Sequence, residues 1–132
     1  MDSSTIDLPG SEVESIHLEA GNLIIRFSRV IIIKTMTGSQ DRTRWWQSGA
    51  LIFENAELES EIPDTPCVCN GGDVGENVYT YRDMIPMPLE SKGRARCDLK
   101  FIDRQPLRAW AEGVRLEMDD RPRYIEHIHK ID

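Results

Sequence analysis

Three cysteines, three histidines and three tryptophans are the residues of this 132-residue chain best equipped for chemistry. Cys67-Val68-Cys69 places two thiols on one side of an extended backbone. Two thiolates can hold a soft metal, but zinc takes four ligands as a rule. His127 and His129 are also two apart, with Glu126 beside them, so on a strand they would project together as a second chelating pair. A metal site would need one of these histidines to approach Cys67 and Cys69. The simpler reading is two incidental thiols in a loop and a solvated C-terminal tail, so neither metal nor other cofactor is expected. Cys97 falls on an apolar face and reads as core, and His17 lies on the wet face of its strand.

Trp45 and Trp46 point to opposite sides of a strand. One indole can enter the core. The other is either covered by the same domain or exposed as an anchor for a partner or ligand. Met84, Met87 and Trp110 could join Trp46 in an apolar patch, because methionine adapts to irregular surfaces. A ligand cavity would instead draw on Trp45, Phe53, Tyr79, Tyr81 and Trp110.

Other candidates are weaker. Asp64, Asp73, Asp83 and Glu90 are loop acids whose spacing matches no calcium loop. Gly71-Gly72-Asp73-Val74-Gly75 lacks the helix and lysine of a phosphate-binding loop. No nucleophile–base pair is visible and no Gly-x-Ser-x-Gly elbow or His-Glu-x-x-His motif occurs, so an enzyme is the less expected class, its remaining form a hydrolase using Asp73, Asp83 or His17.

These residues must be positioned by strands. Arg94 to Phe101 alternates charge and apolar group without a slip, the period of a strand with one dry face. Leu23, Ile25 and Phe27 repeat it after a turn at Glu19-Ala20-Gly21-Asn22. Val30 to Ile33 is β-branched and apolar on both faces, as in a central strand covered twice or one buried by a partner subunit. From Trp45 to Phe53 one parity is apolar; from Ala56 to Ile62 the parity shifts, which requires a turn or bulge near Glu54-Asn55. Pro63 to Asn77 reads as a long loop. Asp83 to Leu89 is apolar but carries two prolines, so it packs at an edge or open end. Leu107 to Met118 fits either a helical stripe or strands, and the flanking turns favour strands.

The expected fold is all-β: an antiparallel β-sandwich or small barrel of about seven to nine strands with little or no helix. Residues 1–11, broken by Pro9-Gly10, are expected as a flexible N-terminal arm, and 12–132 as a single β domain.

The formal net charge of −7 disfavours nucleic acid, and Arg42, Arg44, Arg94 and Arg96 form no wider basic field. No apolar run approaches the roughly 20 residues of a membrane span, and the first residues lack a secretory signal's pattern. A cytoplasmic setting is expected, in keeping with an odd number of cysteines. The expected role is a non-enzymatic β domain acting through protein–protein contact, most simply a homodimer. One alternative is a small-molecule-binding barrel. Another is an acidic inhibitor of a basic partner, motivated by the net charge and by Glu57, Glu59 and Glu61.

Overall fold

The structure, a computed structural model, describes residues 3–36, 38 and 41–128. His129 lies outside the described residues. Ten strands follow one another: β1 (Ser3–Glu19), β2 (Asn22–Thr35), β3 (Arg42–Glu54), β4 (Glu57–Leu58), β5 (Cys67–Glu76), β6 (Tyr79–Arg82), β7 (Met84–Met87), β8 (Glu90–Phe101), β9 (Arg104–Met118) and β10 (Arg123–Ile128). Every pairing is antiparallel, and no helix occurs among the described residues. The all-β reading therefore holds, and of its two forms the barrel is realised.

Six strands close the barrel in the order β1-β2-β3-β9-β8-β5. A barrel this narrow is filled by its own side chains. Phe27, Phe53, Leu51, Leu99, Leu107 and Val114 occupy the interior, each at most 2% exposed. The expected turns at Glu19–Asn22 and Glu54–Asn55 are present; Ala20 and Asn55 both take a left-handed backbone conformation there.

Two expectations need correction. Ser3–Ser11 is not a loose arm but the first half of β1, with Ile6, Leu8 and Ser11 at most 1% exposed. Pro9-Gly10 breaks the register without ending the strand: pairing with β2 slips between Asp7 and Glu12. Ser11 repairs the gap, its hydroxyl donating to the Asp7 carbonyl at 2.9 Å and accepting from the Ile31 amide at 3.1 Å. Second, most of the expected loop from Pro63 to Asn77 is the barrel strand β5, whose glycines serve a bulge between Cys69 and Gly72. The expected edge position of Asp83 to Leu89 is realised: Met84–Met87 is strand β7, which pairs with the first half of β1 alone.

Beyond the barrel, the first half of β1, the second half of β2 and the first half of β3 run on as a sheet. β7 adds to one edge and β10 to the other, giving the order β7-β1-β2-β3-β10. Its inner face carries Ile6, Ile32 and Ile85, all 1% exposed and continuous with the barrel core.

Candidate functional site

Direct cross-strand partners project to the same side of a sheet. The register therefore fixes who shares each face of the five-stranded extension. Ile85, Ile6, Ile32, Trp45 and Tyr124 form one row on the inner side. There Trp45 packs on the core, its ring edge-on to Tyr124 at 5.3 Å and under the Lys34 ammonium at 4.3 Å. Its indole N–H donates to Thr43 Oγ1 at 2.8 Å. Met87 is on this inner side too, partly buried against the core.

The outer side holds two five-stranded rows, beyond which Ser3, Thr35, Arg42 and Ile128 form a shorter third. One of the two five-stranded rows runs Met84, Asp7, Ile31, Trp46, Arg123; the other runs Pro86, Thr5, Ile33, Arg44, Glu126. Ile31, Ile33 and Trp46 are half-buried, and Met84 is 53% exposed. So the strand expected to be apolar on both faces is covered on one: Val30 and Ile32 are sealed, whereas Ile31 and Ile33 are not. The guanidinium groups of Arg29 and Arg123 lie 4.5 and 5.2 Å from the Trp46 ring. Such contacts are worth about 0.5–1 kcal/mol each at an exposed site. Asp7 sits inside this face, and burial pushes its carboxyl above the ordinary range; Arg44 pulls it back and Asp83 pushes it further up. Arg44 pairs with Glu126 at 3.3 Å.

Of the patch expected around Trp46, Met84 alone joins it. Met87 faces inward. Trp110 belongs to a different row, Gly75, Arg96, Trp110, Glu57, on the outer wall across β5, β8, β9 and β4. There Arg94 and Arg96 lie 4.3 and 4.7 Å from its ring, and Arg96 is also ion-paired with Glu59. A hollow of about 530 Å³ lies beside it, lined by Glu57, Gly93, Arg94, Ala111 and Glu112; one of about 220 Å³ on the other side includes Tyr79. The expected cavity lining is thus dispersed: Phe53 is inside the barrel, Trp45 on the inner sheet face, and Tyr79 and Trp110 outside. Tyr81 packs on the core and donates to Glu76 Oε2 at 2.7 Å, a bond that pushes the phenol up to about 12.

Cys67 and Cys69 are strand residues, not loop residues, and are buried. His127 is on β10, beside Asp41 at 3.3 Å. Among the described residues no three His, Cys, Asp or Glu side chains converge as a metal site. Burial pushes all three thiols up, Cys69 to about 11. A thiol reacts as thiolate, so an aromatic disulfide reagent should label none of the three rapidly in folded protein and all three in denaturant. Fast labelling of native Cys67 would show that β5 opens locally. Of the four expected loop acids, Asp73 and Glu90 lie on β5 and β8; Asp73 pairs with Arg82 at 3.0 Å, which holds its carboxyl low, and Asp83 Oδ1 accepts from the Gly72 amide at 2.9 Å.

No described helix is long and apolar enough to cross a membrane. No protein-family model, no curated protein and no solved structure matches this chain.

Proposed function

We propose that this is a non-enzymatic β domain that works through protein–protein contact, most simply with another copy of itself, on the outer face of β7-β1-β2-β3-β10. The observation that carries the reading is the half-covered group of Ile31, Ile33 and Trp46 on the adjacent strands β2 and β3, with Met84 on β7 beyond Asp7, opposite a sealed inner face. Aliphatic and indole surface of this kind is stabilised when a partner removes it from water, at roughly 25 cal/mol per Å². The Trp110 hollow supports a ligand-binding reading less well, since two guanidinium groups already contact its indole. The acidic-inhibitor reading loses one of its three glutamates to the Glu59–Arg96 pair. Three unpaired cysteines fit a cytoplasmic setting.

The test is native mass spectrometry over the micromolar range. The expected mass is twice 15.1 kDa, in an equilibrium that shifts with concentration. Ile33→Glu should leave monomer only, and Trp46→Ala should weaken association about tenfold or more, as loss of a central aromatic anchor does. Wild-type protein that stays monomeric throughout this range sinks the reading.

A further inference from the structure

The outer face has a charge layout that selects one way of pairing. Its first row, Met84, Asp7, Ile31, Trp46, Arg123, crosses the strands in the order β7, β1, β2, β3, β10. Ile31 is at the centre. The acid Asp7 lies one strand to one side, and the cation Arg123 two strands to the other. Of the other charges on the face, Arg44 is matched by Glu126 at 3.3 Å and Arg29 by Glu12 at 3.6 Å, while Arg42 lies further along β3. Among the described residues neither the Asp7 carboxylate nor the Arg123 guanidinium has an ion-pair partner within 4.0 Å. Arg123 instead lies against the Trp46 ring.

Resting on the reading above, we propose that the partner is a second copy stacked face to face about a two-fold axis running along β2, which sets Asp7 of each copy against Arg123 and Trp46 of the other. The axis follows from the layout. Rotation about the strand direction exchanges left and right across β2, so β1 lies over the partner's β3, and β7 over its β10. Ile31 and Ile33 then meet their own copies at the centre, a self-complementary apolar contact of the kind a two-fold interface requires. Facing sheets stand about 10 Å apart, a gap that an arginine and an aspartate span together. The other two-fold available to stacked sheets, perpendicular to the strands, lays each strand on itself. With its axis through this row it would oppose Asp7 to Asp7 and Arg123 to Arg123, and such like-charge juxtaposition is strongly unfavourable. The footprint, five strands by about four residues, is roughly 24 by 14 Å. That is small for a stable complex, so a dissociation constant in the micromolar range is expected.

The test uses two full-length variants, Asp7→Lys and Arg123→Glu, each first verified as folded by circular dichroism. Alone, each should associate at least about tenfold more weakly than wild type, because each copy then meets a like charge twice. Mixed in equal amounts they should form a heterodimer near wild-type affinity. The new lysine of the first variant then meets the new glutamate of the second, while the unchanged Arg123 of the first meets the unchanged Asp7 of the second. Effects confined to one chain cannot produce rescue by mixing. Folded variants that stay monomeric when mixed, while wild type dimerises and Ile33→Glu does not, overturn the axis but leave the face intact. A wild type that never dimerises overturns face and axis together.

Discussion

Phe53→Ala should cost about 3–5 kcal/mol of folding stability, the range for truncating a large aromatic in a packed core. The side chain is fully buried and lies in the row Leu23, Phe53, Val114, in which every member is 0% exposed. That row spans the β3–β9 junction, where the sheet closes on itself. The neighbours are held by ladders on both sides, so the space cannot collapse cheaply, and a value toward the upper end is expected. Measured against the roughly 5–15 kcal/mol total of ordinary domains, the loss leaves the protein marginal or unfolded. Phe53→Leu keeps most of the volume and should cost about 1.5 kcal/mol or less. Urea melts of both variants check this. The midpoint should fall while the slope holds; a loss under about 1 kcal/mol for the alanine would mean the barrel is not closed at this seam.

Much of this barrel wall is legible in the residues. Leu23, Ile25 and Phe27 and the Arg94–Phe101 strand alternate without fault, because each has one wall against the core and one against water. The parity change after Phe53 fixes the turn at Asn55. Sequence reasoning fails where long-range pairing overrides a local signal. Pro9-Gly10 is a breaker by composition, yet the strand continues because Leu8 and Ser11 are sealed by partners far along the chain. The glycines of β5 look like loop residues, but here they allow close backbone approach. Gly72, for example, faces the Asp98 carbonyl and the Leu99 backbone, partners that no local window contains.

The candidate face was half legible. Two-sided apolarity at Val30–Ile33 and the opposed tryptophans identified its centre. Membership of Met84, and exclusion of Met87 and Trp110, depends on register between strands remote in sequence, which alternation within one strand cannot supply. Asp7 and Arg123 carried no signal at all. They matter only because pairing places them on opposite flanks of β2, one near each end of the chain.

Gly72→Ala should be among the most damaging small substitutions in the protein, costing about 2–5 kcal/mol, from strain plus overpacking. Gly72 has φ +125°, and an added methyl would press on backbone, at 2.8 Å from Leu99 Cα and closer still to the Asp98 carbonyl. Strand backbone cannot step aside as a flexible side chain can. The damage should also spread in one direction. The Gly72 amide donates to Asp83 Oδ1, and the Asp83 amide donates to the Gly72 carbonyl at 2.7 Å. The Asp83 carbonyl in turn accepts from Leu8 at 2.9 Å. This clasp fixes the start of β7 against β1, and β7 is one edge of the proposed contact face. Hydrogen exchange should therefore quicken at residues 4–8 and 84–87 more than across the β8–β9 ladder. Gly10→Ala is the control: φ is +90°, but the site is open, with no atom within 4 Å of the added carbon. It should cost only the backbone term, about 1–2 kcal/mol. Equal losses for the two variants would mean that left-handed strain alone, and not the approach to Asp98 and Leu99, makes glycine necessary at position 72.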